Sequence, residues 1–515
     1  MSARRPDSAL AEATVDGLRW LGVTRVVSET LALAAAVEVA RQVSPAEFGR
    51  AAVALTFVML AGMLAFEGFA SSLVQRQTVT EEDRRAAMLL SIVGGCALSA
   101  ILYALAGPLW KPLFGAQTGA LIELVSPVLL LAALGGVSRA ALLRKLDFRR
   151  VSMIDVVSLF VGSAAAVVLA VAGWQGKAIV IGGLAQTAMA SLIQIIVSPP
   201  PLPRWSARAQ RQIAAFGVPA ALAASVDTLL RNIDYVVLAA RLPAATVGYY
   251  YRAFNVGVVY QDKISRVMAQ IAFPLYSRTT SREQLRDLHE RAARLHAAVI
   301  FPLLASLIAL APIMVPYVFG GEWTPAVTPT RIMAGAGMIA AVLVGYPQVM
   351  LAIGRPRPLL YMNIAMLLVY GGAILAASRH GLVWIGIAVV GAYFLNLLGI
   401  YRFLLQRHVG ISIKRLVPEL GPAVIGSVAL VAVAIPLSGL LGPALPRAAT
   451  IMIVGCVGLG VYALVLAAAF PAAWRDVCTL VYRLIPQAER LRLRRRRSPA
   501  ATSAPASAVS SSRAA

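Results

Sequence analysis

The chain predicts an all-α integral membrane protein: about fourteen transmembrane helices, two six-helix lobes in parallel repeat, and two extra C-terminal helices. Three observations carry this. The composition is 59% hydrophobic and only 14% charged, where soluble domains are about 25% charged. Apolar segments of spanning length, about 20 residues each, follow one another along the chain. Basic residues alternate between the connections at every crossing, as they do when cytoplasmic loops collect Lys and Arg.

The segments run at approximately 22–40, 48–70, 86–106, 118–138, 151–173, 176–197, 213–240, 247–273, 292–318, 325–351, 359–377, 382–405, 418–440 and 448–470. With the N-terminus inside, the inner connections hold Arg76, Arg84 and Arg85, then Arg139, Arg144, Lys145, Arg149 and Arg150. Further inner groups are Arg204, Arg208 and Arg211, and Arg278 to Arg294. The outer connections hold only Arg41, Arg50, Lys111, Lys177, Arg241, Arg379 and Arg447. One missed helix would invert everything downstream, so the alternation supports both count and orientation. Both termini are expected to be cytoplasmic. The same rule accounts for the net charge of +24, and no nucleic acid partner is expected.

Residues 1–21 form a cytoplasmic or interfacial N-terminus, in which 8–21 are amphipathic. Met1–Trp20 has no apolar core, so the first span is expected to be its own targeting signal. Residues 22–198 form the N-lobe, helices one to six. The linker 199–212, PPPLPRWSARAQRQ, is stiffened by proline and kept inside by its basic residues. Residues 213–405 form the C-lobe, helices seven to twelve. Helices thirteen and fourteen occupy 406–470. Residues 471–515 form a basic, partly disordered cytoplasmic tail, ending in an Ala/Ser/Pro run.

The halves repeat. LGV at Leu21–Val23 recurs as FGV at Phe216–Val218, and ARQVSPAEFG at Ala40–Gly49 as ARLPAATVG at Ala240–Gly248. GPLWKPLFG at Gly107–Gly115 recurs as APIMVPYVFG at Ala311–Gly320. The copies begin after an even number of crossings, so they share one orientation.

Several chemistries are absent from the sequence. There is no phosphate-binding G-x-x-x-x-G-K loop, no nucleophile elbow and no HExxH. No catalytic residue, metal site or cofactor is expected. The outer connections are too short for an integral-membrane glycosyltransferase or ligase to build an acceptor site. Cys96, Cys456 and Cys478 are scattered without disulfide or zinc spacing. His289 and His296 share a helical spacing inside a charged stretch and are expected on a solvated surface. Glu81, Glu82 and Asp83 are expected to cap a helix.

What remains is intramembrane charge. Asp227, Arg231 and Asp234 share one face of helix seven at i, i+4 and i+7. Each costs about 2.5–3.5 kcal/mol at a membrane centre, so the face must look into protein or water. Helix eight carries Tyr249–Tyr251, Arg252, Asn255, Tyr260, Gln261, Asp262, Lys263 and Arg266. Helix one has Arg25 and Glu29, and Glu67, Glu123, Asp155 and Arg331 lie on other helices. Two polar-striped helices in mid-chain point to a hydrophilic cavity. Arginine forks match phosphate oxygens bidentately. Arg25–Glu29 fits a brace between helices as well as a binding pair, and the tyrosines fit either sugar contact or an interface belt.

Ser44–Asp83 (SPAEFGRAAVALTFVMLAGMLAFEGFASSLVQRQTVTEED), Ala141–Ser158 (ALLRKLDFRRVSMIDVVS), the DTLLRNIDYVVLAARL of helix seven, Tyr276–Leu295 and LAIGRPRPLL at Leu351–Leu360 resemble bacterial polysaccharide flippases of the Wzx type. Those belong to the multidrug, oligosaccharidyl-lipid and polysaccharide exporter superfamily. The resemblance implies two lobes around a central cavity. It implies alternating-access translocation of a polyprenyl-pyrophosphate-linked oligosaccharide across the bacterial cytoplasmic membrane, for O-antigen, capsule or exopolysaccharide. Arg25, Arg231, Arg252 and Lys263 would then attract pyrophosphate or acidic sugar. Glu29, Asp227 and Asp234 would tune those cations or carry a coupled ion. The implied partners are the lipid-linked oligosaccharide, membrane lipids, and a polysaccharide polymerase with glycosyltransferases. The alternative is a multidrug exporter of the same superfamily, which would want an acid-rich cavity.

Overall fold

The structure, a computed structural model, describes residues 6–62, 68–76, 78–277, 279 and 281–484. Glu67, Arg278 and the arginine run of the tail lie outside the described residues, as do the side chains of Asp227 and Arg231.

Among the described residues every regular element is helical. Helix α1 (Pro6–Gln42) runs unbroken through the expected boundary at residue 21, since Gly17 and Gly22 stand singly and are each tolerated in a helix. Helix α2 (Pro45–Gly62) begins on a proline, whose fixed φ suits a first turn. It is followed by α3 (Gly68–Gln75) and α4 (Glu81–Ala104). Thr80 caps α4 as the acidic cluster predicts. The Asp83 N–H donates to Thr80 Oγ1 at 3.1 Å, and the Thr80 N–H donates to Asp83 Oδ2 at 3.0 Å.

The fourth expected span is divided. A short α5 (Lys111–Phe114) leads to α6 (Ala116–Val125) and α7 (Val128–Arg144). The break falls at Pro127, which has no N–H for the helical ladder. The antiparallel pair α8 (Phe148–Val171) and α9 (Gly176–Val197) completes the N-terminal half.

Ser206 then opens the 35-residue α10 (Ala207–Arg241) by accepting from the Ala209 N–H at 3.3 Å. Helix α11 (Ala244–Phe254) passes through a π turn over Asn255–Val259 into α12 (Tyr260–Ser277). Helix α13 (Arg282–Phe319) is the longest, at 38 residues. The tenth expected span is kinked: α14 (Val327–Val342) and α15 (Tyr346–Ala352) meet at Gly345, which adopts a left-handed φ of +77°. Next come α16 (Pro356–Ala377), α17 (Leu382–Gly399), α18 (Gln406–His408), α19 (Ile413–Leu441) and α20 (Arg447–Ala469). The expected tail opens instead on a further helix, α21 (Pro471–Leu484). Its Trp474 and Val477 pack beside α13 and α20, and its Asp476 accepts from Arg294 of α13 at 2.8 Å.

Among the described residues, ten helical stretches are long and apolar enough to cross a membrane. They match the third to sixth and ninth to fourteenth expected spans. Helices α1, α2, α10 and the α11–α12 rod are not among them, and these carry Arg25, Glu29, Arg50, Asp234, Arg252 and Lys263. The broadest contact between the two halves of the chain is α2 against α11, supported by α1 against α13 and by α10 against α2, α3 and α4.

Candidate functional site

Helices α2 and α11 cross at Gly49 and Gly248. A Cβ added to Gly49 would lie 2.1 Å from the Ala244 carbonyl oxygen, and one on Gly248 would lie 2.1 Å from that of Pro45. Only glycine permits this approach. Around the crossing the halves are tied repeatedly. Arg41, at the end of α1, donates to the carbonyls of Tyr317 and Val318 at 2.9 Å each. These are the last-turn acceptors of α13, where a cation also meets the negative end of the helix dipole. Trp323 donates through Nε1 to Ala40 O at 2.8 Å. Val39, Ala40 and Phe48 share one apolar core with Val315, Phe319 and Trp323.

Arg252 lies within this seal. It is buried, and its guanidinium faces the rings of Phe319 at 4.4 Å, Phe48 at 4.5 Å and Trp323 at 5.2 Å. Its Nη2 donates to Ala36 O at 3.4 Å, while Nε finds no acceptor. Three π faces take the place of a carboxylate, each desolvated contact contributing up to about 2 kcal/mol.

One to three turns beyond the crossing, a cavity of 530 Å³ opens between α2 and the C-terminal half. Thr56 and Met59 form one wall. The others present Asn232, Tyr235, Tyr251, Asn255, Gln261, Ser265, Gln348 and Asn396. Among the described residues the lining contains two charged side chains, Asp262 and Arg266, and they pair with each other at 3.3 Å. A second cavity of 340 Å³ adjoins it and shares Phe254, Tyr346, Pro347, Tyr393 and Asn396. Behind the wall, His296 of α13 is hydrogen-bonded to Ser265 at 2.8 Å, and Gln261 donates to Ser265 at 2.6 Å.

The expected site residues separate into three places. Arg25 and Lys263 come together at Glu29, at 3.2 and 2.6 Å. This joins α1 to α12, one helix from each half. Arg252 is in the aromatic seal. Asp234 is fully buried, and among the described residues it pairs with no cation. It accepts from Tyr250 OH at 2.6 Å, Tyr370 OH at 3.1 Å and the Tyr235 N–H at 2.9 Å. Asp227 and Arg231 share its helix, with side chains outside the described set. Asp155 is held by Arg139 at 2.6 Å and Glu123 by Lys111 at 3.0 Å, so both act as braces.

The histidines contradict the expectation of a solvated face. His289 and His296 are both buried, and His289 reaches Tyr401 OH at 3.1 Å. The reason is the length of α13, whose charged first turns pack against α12 and the 400–405 turn instead of forming a loop. Among the described residues no cluster of three His, Cys, Asp or Glu side chains could hold a metal ion.

Sequence reasoning missed the aromatic seal and the neutral wall. The second had a signal: Asn363, Met366, Leu367 and Tyr370 stand at i, i+3, i+4 and i+7 on α16, the pattern of one helix face.

Comparison with known proteins gives four further facts. The family described as "Polysaccharide biosynthesis protein" matches residues 39–328. The lipopolysaccharide biosynthesis protein WzxC of Escherichia coli K12 is 24% identical over 339 residues, which is 65% of this chain and 69% of that one. The teichuronic acid biosynthesis protein TuaB of Bacillus subtilis is 24% identical over 322 residues, 61% of this chain and 66% of that one. Among solved structures, the lipid II flippase MurJ in an inward closed conformation superimposes with a TM-score of 0.71 at 15% identity, covering 89% of this chain and 99% of that one. At this identity the likeness speaks for the fold.

Proposed function

The chain belongs to the polysaccharide biosynthesis protein family, and on that premise we propose that it is a flippase for a lipid-linked oligosaccharide. It is a multi-pass membrane protein with the fold of a transporter. The observation that carries the proposal is the cavity between the halves, sealed at one end by the α2–α11 crossing and lined by amide, hydroxyl and tyrosine groups. Such a lining suits a hydroxyl-rich head group. The named roles of the relatives, in lipopolysaccharide and teichuronic acid biosynthesis, agree. A cationic drug would want acids, and among the described lining residues the one carboxylate, Asp262, already has Arg266.

In this proposal the protein crosses the cytoplasmic membrane fourteen times, as two six-helix lobes in parallel repeat with two further helices. Both termini are cytoplasmic. The sealed end faces outward, because the 41–49 and 241–247 connections belong to the basic-poor side. The lobes rock about the cavity while the lipid tail stays in the bilayer. Arg25, Lys263 and Arg231 draw the pyrophosphate, and Arg252 becomes accessible once the seal parts. Glu29, Asp227 and Asp234 tune these cations or carry the coupled ion. Glycosyltransferases act before it and a polymerase after it.

The test is complementation of a strain lacking this gene, scoring surface polysaccharide against inserted protein. The deletion strain should lack surface polymer and accumulate lipid-linked repeat units. Arg231→Lys should insert normally and export clearly less, having lost the bidentate fork, and Arg231→Ala should export almost none. Unchanged surface polymer in the deletion strain would refute the function. Full export by Arg231→Ala at normal protein level would remove that residue from the site.

A further inference from the structure

Resting on the flippase reading, we propose that the 340 Å³ side cavity of the C-terminal half is the subsite for the substrate's sugar rings, and that it selects uncharged sugars over uronic acids. The cavity lies between α15, α16 and α17, beside Phe254, and adjoins the larger space between the halves, sharing Tyr346, Tyr393 and Asn396 with it. Among the described residues its lining contains no acid and no base. It offers tyrosines 346, 370 and 393, and the carboxamides of Asn363 and Asn396.

Those two carboxamides decide the chemistry. Both are half-buried, they stand on different helices, and neither makes a hydrogen bond to the protein. An amide carries two N–H donors and an acceptor oxygen, and a pair of sugar hydroxyls presents the complementary set. A polar group turned inward on a membrane helix marks a functional position. Here α16 makes the contrast sharp: Leu360, Tyr361 and Leu368 are exposed on its outer side, while Asn363 and Tyr370 face the cavity. Tyrosine rings add flat faces for the C–H side of a pyranose. The volume is at the small end of ligand sites, about 300–1,000 Å³, which admits about one or two rings.

A uronic acid would fare badly. Its carboxylate would leave water for a space whose described lining holds no cation, and an unpaired buried charge is unfavourable. In the described lining of the larger space the cation is Arg266, and it is engaged by Asp262. The pyrophosphate and the sugar are therefore received in different places. The phosphates meet the Arg25–Lys263 side of the seam, and the rings enter the C-terminal half.

The full chain in nanodiscs tests this by saturation-transfer NMR. Cellobiose, lactose and chitobiose serve as uncharged probes, and digalacturonate as the acidic one. Inorganic pyrophosphate is titrated separately by calorimetry. At least one uncharged disaccharide should show transfer about tenfold stronger than digalacturonate. Asn363→Ala and Asn396→Ala should each cut that transfer several-fold and leave pyrophosphate binding unchanged. The size-conserving Asn396→Asp keeps the packing, removes the two N–H donors, and should cut it too. No transfer from any uncharged probe, equal transfer from digalacturonate, or full transfer in all three variants would overturn the subsite. Absence of pyrophosphate binding with sugar transfer as described would refute the flippase reading while leaving the subsite in place.

Discussion

Replacing Gly49 by alanine should open the sealed end. The added Cβ would lie 2.1 Å from Ala244 O and 2.7 Å from the Gly248 nitrogen, short of the 3.4 Å at which ordinary contact begins. Both obstacles are backbone, so no side chain can swing aside, and the helices must part by roughly 1 Å. Overpacking of this kind costs about 1–3 kcal/mol. Alanine is a better helix former than glycine by about 1 kcal/mol, so α2 itself is not weakened. The cost falls on the sealed conformation alone and shifts the balance toward the open one by about 5–150-fold. The assay places a single cysteine at Thr56, on the cavity wall, after replacing Cys96, Cys456 and Cys478. Spheroplasts are treated with an impermeant maleimide. Gly49→Ala should raise the labelling rate within that range. Gly94→Ala, whose added carbon would meet nothing closer than 3.6 Å, should not. Unchanged labelling in Gly49→Ala at equal inserted protein would refute the argument.

Two further outcomes are expected. Single cysteines replacing Lys177 and Arg149 should react with impermeant label from opposite sides of the membrane; reaction of both from one side would sink the fourteen-span topology. Reversing the seam pair as Glu29→Lys with Lys263→Glu should recover export lost in each single reversal, with a coupling of about 0.5–3 kcal/mol among the unfolding free energies that the thermal midpoints of the four proteins give. Additive midpoints would mean that the two side chains do not depend on each other.

Much of the architecture was legible because it follows from lipid. An apolar run must be helical in a bilayer, so α4, α8, α9, α19 and α20 announce themselves. The seam was half legible. Arg25 and Lys263 stand out as charges in apolar helices, but nothing local links residue 263 to Glu29, 234 positions earlier. Arg252 was flagged for its charge, yet its surroundings are Phe48, Phe319 and Trp323, which read as ordinary apolar residues until the halves are brought together. Asn363 and Asn396 were passed over because a lone amide costs little in a hydrophobic segment. The histidines misled for a different reason. Arg282, Arg286 and Arg291 make the start of α13 look like loop, but Leu285, His289 and His296 follow one another along a buried side of that helix.

The crossing at Gly49 and Gly248 has one more consequence. Pro45 and Ala244 each begin their helices, four residues before the glycine that follows. Gly49 meets Ala244 and Gly248 meets Pro45, so the contact is reciprocal in the manner of an isologous dimer interface. Within one polypeptide the two halves treat each other as subunits. Gly49 and Gly248 are then a single position occupied twice, and a crowding methyl on either strand of the interface exhausts most of the available separation. The second methyl finds the gap already made.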